Sequence, residues 1–103
     1  MAEERWRVEL LPHALAGLDE ILDEYGDDAY DEAMEDLLAL GEDPTPPNSQ
    51  NVRGARDYCR IHICRSRYRA VYRVLFGKRR VLVEDVGPGH SVYVRGGFDR
   101  DRQ

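Results

Sequence analysis

The residues of this chain best suited to chemistry are two histidines, a tyrosine and a run of arginines. Arg60 and His62 stand two apart in DYCRIHIC (57–64), Arg69 falls in RYRAVYRVLF (67–76), and His90 and Tyr93 follow in GPGHSVY (87–93). Cations around imidazoles and a phenol suit cleavage of a phosphodiester by the adjacent 2′-hydroxyl. A base takes the hydroxyl proton, an acid supplies one to the leaving 5′-oxygen, and cations stabilise the charged phosphorane. In that scheme Arg60 and Arg69 grip phosphate, and His62 and His90 are the base and the acid. Tyr93 either stacks on a nucleobase or assists proton transfer. Arg53, Arg65, Arg67 and Arg73 extend the basic surface as candidate RNA contacts, because arginine's planar fork suits phosphate better than lysine.

No metal or cofactor is called for. Cys59, His62 and Cys64 resemble a partial ligand set, but in a strand His62 and Cys64 share a face that Cys59 opposes, and no fourth ligand is at hand. Five strand residues separate the two thiols by about 16 Å, too far for a disulfide. Gly87-Pro88-Gly89 reads as a tight turn, since no lysine and helix start follow it as in a phosphate cradle. The paired carboxylates Asp27-Asp28 and Asp31-Glu32 read as a solvated helix face.

Several elements must bring these residues together. WRVELL (6–11) reads as a strand ended by Pro12. Leu11, Leu15, Leu18, Leu22 and Tyr25 then recur at helical spacing up to Gly26. Asp27 or Asp28 caps a second helix with Tyr30, Ala33, Met34, Leu37 and Leu40 as its apolar stripe. After the prolines at 44, 46 and 47 the period changes to two, giving strands at 57–64, 67–76 and 79–86. The expected class is α+β, ordered β-α-α-β-β-β. An antiparallel sheet carries the N-terminal helical hairpin on one face, all within a single domain, 1–103.

Register decides which side chains meet. A tight turn at Arg65-Ser66 sets His62 opposite Arg69, and a type II′ turn at Gly77-Lys78 sets Arg69 opposite Val86. Alternation then puts Cys59, Ile61, Ile63, Tyr68, Ala70, Tyr72, Val74, Phe76, Val81 and Val83 on an apolar face beneath the helices. The opposite face holds Tyr58, Arg60, His62, Arg67, Arg69, Arg73 and Glu84. The loop after the last strand emerges beside Arg69 and brings His90 and Tyr93 to it.

The formal net charge of −5 conceals a division of the chain. Residues 1–50 hold 15 Asp and Glu against 2 Arg, a balance of −13; residues 51–103 hold 13 Lys and Arg against 5 acids, a balance of +8. Such asymmetry suits a protein that meets a polyanion with one face only. No apolar run is long enough to span a membrane, and the opening MAEERWRVEL has no secretory pattern. Met1 reads as the true start of an intracellular, cytoplasmic protein with reduced thiols and no membrane partner.

The block Val52-Arg53-Gly54, Tyr58-Cys59-Arg60-Ile61-His62, Tyr68-Arg69-Ala70-Val71-Tyr72, Val86-Gly87 and Val92-Tyr93 resembles the RelE/ParE toxin superfamily over nearly the whole chain. The resemblance implies a toxin silenced by a cognate antitoxin. In the RelE branch, which is favoured, it implies a metal-free endoribonuclease that cuts messenger RNA in the ribosomal A site and so inhibits translation. The alternatives are a ParE-like toxin that binds DNA gyrase, or an inactive module that only binds an antitoxin. By the same resemblance Arg69 matches the family's strand arginine, Tyr93 its late tyrosine, and Arg60 and His62 stand where well-known members have lysines. Many nuclease members carry an arginine where this chain has Gly89.

If the basic face meets nucleic acid, binding to RNA or ribosomes weakens steeply with salt, because each neutralised phosphate releases counterion. Alanine at Arg60, Arg67, Arg69 or Arg73 is expected to flatten the slope of log affinity against log salt. Changes in the acidic helices are expected to leave it alone. An affinity indifferent to salt would contradict the electrostatic reading.

Overall fold

A computed structural model of the chain describes residues 5–52 and 55–88, with Ala55 and Arg56 described in their backbone only. His90, Tyr93 and Arg53 lie outside the described residues.

Strand β1 (Arg7–Leu10) leads to helix α1 (Pro12–Tyr25). Pro12 begins the helix at a position where a missing N–H costs nothing and its fixed φ suits the turn. Gly26 ends it at φ +92, donating its N–H to the Leu22 carbonyl. Helix α2 (Asp27–Leu38) follows at once. Its cap position is Gly26 itself, and Asp27 and Asp28 occupy the first turn, where carboxylates favour the helix dipole. A short 3-10 turn, Ala39–Gly41, closes the hairpin.

Four further strands complete a sheet: β2 (Gln50–Val52), β3 (Ala55–Ile63), β4 (Tyr68–Leu75) and β5 (Arg80–Pro88). Their spatial order is β1-β5-β4-β3-β2. The α+β class and the helix-covered face agree with expectation. The sheet is mixed, however, because β1 runs parallel to β5 while the other pairs are antiparallel. The short β2 was not anticipated, since three residues cannot display an alternating pattern.

The core lies between the helices and one face of the sheet. Ala14, Leu18, Ile21, Ala33 and Leu37 pack on Ile61, Ile63, Tyr68, Ala70, Tyr72, Val74, Val81 and Val83, all buried. Phe76 departs from the expected face: it is 62% exposed, with its ring edge-on to Trp6 at 5.6 Å. It sits past the end of β4, where alternation no longer applies. The stripe of α1 also differs. Leu15, Leu22 and Tyr25 are substantially exposed, and the buried line is Ala14, Gly17, Leu18 and Ile21. Small residues prevail there because α1 rests backbone to backbone on β5. A Cβ on Gly17 would stand 1.9 Å from the Val86 carbonyl oxygen.

Two features of the β4–β5 pair depart from expectation. Between β4 and β5 the chain makes a 3-10 turn (Phe76–Lys78) closed by Arg79 at φ +52, instead of a Gly-led type II′ turn. The β4–β5 register begins as expected, with Val74 opposite Val81 and Tyr72 opposite Val83. A bulge then shifts it by one residue, so that Val71 faces Asp85 and Arg69 faces Gly87 instead of Val86. Among the described residues no helix is long and apolar enough to cross a membrane.

The approach of α1 to β5 is testable through Gly17→Ala. The added methyl must push the helix off the sheet, because its obstacle is backbone and cannot rotate away. Destabilisation of about 3 kcal/mol is expected in denaturant unfolding. Unchanged stability would contradict this packing.

Candidate active site

The basic face owes its layout to β3 and β4. Ile63 faces Tyr68, His62 faces Arg69, Arg60 faces Val71 and Tyr58 faces Arg73, as alternation and the turn position require. The turn itself is unusual. Cys64, Arg65 and Ser66 all have positive φ without being glycine. Such a conformation persists only where surroundings impose it. Here the Asp36 carboxylate accepts from the Cys64 N–H at 3.0 Å, and the Ser66 N–H bonds the Ile63 carbonyl at 3.0 Å.

Arg69 and His62 meet directly. Arg69 Nε donates to His62 Nε2 at 3.1 Å. Arginine has no acceptor, so this contact requires a lone pair on Nε2 and places the ring proton of a neutral His62 on Nδ1. Arg60 stands on the same face, held from β2: its Nε and Nη2 donate to Gln50 Oε1 at 3.1 and 2.7 Å. Burial, and after it the positive charge of Arg69, pull the Arg60 guanidinium below its usual range. Two cations close enough to repel each other are each stabilised by an anion placed between them. Asn48, Gln50, Arg60, His62 and Ser66 line a cavity of about 250 Å³.

Sequence reasoning missed the loop that builds one side of this cavity. Tyr72 reaches through the core to donate its phenol to the Pro44 carbonyl at 2.8 Å. Burial pushes that phenol far above the tyrosine range. This anchor ties the proline-rich loop to the sheet a few residues before Asn48 and Gln50. Neither amide carries a pattern that marks it in the sequence.

The other arginines divide between two places. Arg73 lies over Tyr58 on the open face, its guanidinium carbon 5.8 Å from the ring centroid. Its Nε is buried without a hydrogen-bond partner among the described residues. Arg65 and Arg67 turn toward the helices instead. Arg65 pairs with Glu32 at 3.2 Å, and Arg67, expected on the basic face, lies 4.8 Å from the centroid of Tyr25. Both belong to the four-residue turn, where side chains no longer alternate. They border a second cavity of about 320 Å³ with Asp28 and Glu32. The basic face also contains an unforeseen acid. The bulge sets Asp85, fully buried, beside the buried Val71.

Arg60, His62 and Arg69 therefore form one cluster. His90 and Tyr93 belong to it by sequence only, since both lie outside the described residues. The last described stretch of β5 does run to this place, with Gly87 opposite Arg69.

No family model matches the chain, and neither does any curated protein. Solved structures do. The chain is similar to a mutant of the Escherichia coli toxin RelE in the free state, at 24% identity and a TM-score of 0.70. That match covers 93% of this chain and 97% of that one. The intact E. coli RelBE toxin–antitoxin complex matches at 26% identity and a TM-score of 0.63, over 81% of this chain and 95% of the other. The archaeal RelE–RelB complex of Pyrococcus horikoshii matches at 17% identity and a TM-score of 0.65, over 84% and 97%. The fold is that of the RelE/ParE-like toxins.

The Arg69–His62 contact makes a spectroscopic statement. At a pH where the ring is neutral, long-range ¹H–¹⁵N correlations of His62 are expected to show Nδ1 protonated and Nε2 bare. Arg69→Ala is expected to remove that preference. A predominant Nε2–H tautomer in the unsubstituted protein would contradict the contact.

Proposed function

We propose that this chain, with the fold of the RelE toxins, is the toxin of a toxin–antitoxin pair and an endoribonuclease that cuts messenger RNA on the ribosome. One observation carries the reading. A potential base, His62, is hydrogen-bonded to one cation and flanked by a second on an open sheet face. A purely structural ion cluster has no need of an imidazole presenting its lone pair to an arginine.

The chemistry follows from that contact. In the free protein Arg69 occupies the His62 Nε2 lone pair. A phosphate binding between Arg69 and Arg60 draws the Arg69 guanidinium to its oxygens, where a charge-assisted bond is stronger. Nε2 is then open to accept the 2′-hydroxyl proton, and the nearby phosphate stabilises the imidazolium that results. The 2′-oxygen attacks phosphorus, the two arginines bear the added charge, and the 5′-oxygen departs with a proton from His90 or Tyr93. A cognate antitoxin would silence the toxin by covering this face and the helical hairpin; the similar RelBE structures are toxin–antitoxin complexes. Acidic antitoxin segments would suit Arg60, Arg69 and Arg73.

Expression of the chain alone is expected to arrest growth, and co-expression with its antitoxin to restore it. His62→Gln is expected to lower cleavage of ribosome-bound message by about 10²–10⁴-fold, the usual contribution of a general base, with ribosome affinity nearly intact. Arg69→Ala is expected to damage both. Unimpaired growth at high soluble expression would count against any toxin. Full toxicity of both His62→Gln and His90→Gln would transfer the reading to a gyrase-binding toxin.

A further inference from the structure

The cavity beside His62 has one wall whose hydrogen-bonding sense is not adjustable. An amide side chain can usually turn over and present either its oxygen or its N–H₂. Asn48 keeps that freedom, and the Ser66 hydroxyl both donates and accepts. Gln50 does not. Its Oε1 receives two N–H groups of Arg60, and a guanidinium offers nothing but donors, so reversal would set donor against donor. The two residues are also register partners across β2 and β3, which holds them side by side. What Gln50 has left to offer is its N–H₂.

We propose that this cavity receives the nucleobase next to the scissile phosphate, and that Gln50 selects guanine and uracil, which carry a carbonyl oxygen at C6 or C4, over adenine and cytosine, which carry an amino group there. The inference rests on the nuclease reading above. The cavity shares Arg60 and His62 with the cleavage site, so a base seated there belongs to a nucleotide adjoining the bond that is cut. Single-stranded RNA is read through bases splayed out of the stack into such recesses. The guanine O6 and uracil O4 accept from the Gln50 N–H₂. The adenine N6 and cytosine N4 groups meet it donor to donor and lose that bond. Gln50 is at the same time a positioning residue for Arg60, since its Oε1 receives both Nε and Nη2 of that guanidinium.

The test uses ribosomes programmed with messages whose A-site codon carries G, U, A or C at each position in turn. At one position the wild-type protein is expected to cut the G and U messages roughly fivefold faster than the A and C messages, the size of a single net hydrogen bond. Gln50→Glu retains an oxygen for Arg60 but replaces the donor by an acceptor, so the preference is expected to reverse toward A and C. Gln50→Leu removes both of these bonds to Arg60, and all four messages are expected to slow while the ratio falls toward one. Because the readout is a ratio, the amount of folded protein cancels. Cleavage that proceeds with no base preference would overturn the inference while leaving the nuclease reading intact. A preference unmoved by Gln50→Glu would do the same. Failure of the wild type to cut any message would overturn the nuclease reading, and this inference with it.

Discussion

The site depends on the pairing register of β3 and β4. Side chains alternate across a strand, so a slip of one residue would turn one strand over relative to the other, sending either Arg60 and His62 or Arg69 and Arg73 into the core. That register is set at the turn, where Cys64, Arg65 and Ser66 adopt left-handed backbone without glycine. Such a conformation is costly locally, and α2 compensates for it: the Asp36 carboxylate holds the Cys64 N–H and Glu32 holds Arg65. The acidic hairpin thus does more than cover the apolar face. It secures the turn that keeps His62 opposite Arg69.

The same arrangement resolves the apparent conflict between an acidic protein and the polyanionic partner proposed for it. The carboxylates of 1–50 sit mainly on helices packed against one side of the sheet, and the strand arginines face away from them. Arg65 and Arg67, which belong to the turn, are the ones drawn to the helical side. Arg60 donates to a neutral amide, that of Gln50.

Much of this was legible in the sequence because it depends on alternation alone. The apolar and basic faces, the His62–Arg69 pairing and the apolar stripe of α2 all follow from period two or period 3.6. What was not legible depends on close approach. The α1 stripe departs from expectation at Leu15 and Leu22, because Ala14 and Gly17 carry no hydrophobic signal, yet Gly17 permits close approach to Val86. The bulge opposite Val71, which moves Arg69 from Val86 to Gly87 and buries Asp85, has no marker in RVLVEDV. The Gln50–Arg60 bond needs a three-residue strand, too short to declare itself. Arg79 takes the left-handed position in the β4–β5 turn that the Gly77-Lys78 pair was expected to provide.

The central claim is that Arg60, His62 and Arg69 promote attack by a 2′-hydroxyl on the neighbouring phosphate. The chemistry of the broken ends tests it most directly. Message recovered from ribosomes exposed to the purified protein is sequenced by methods selective for terminal groups. The account predicts upstream fragments ending in a 2′,3′-cyclic phosphate and downstream fragments beginning with a 5′-hydroxyl. Ends bearing a 3′-hydroxyl and a 5′-phosphate would contradict it, as would uncut message accompanied by loss of DNA supercoiling.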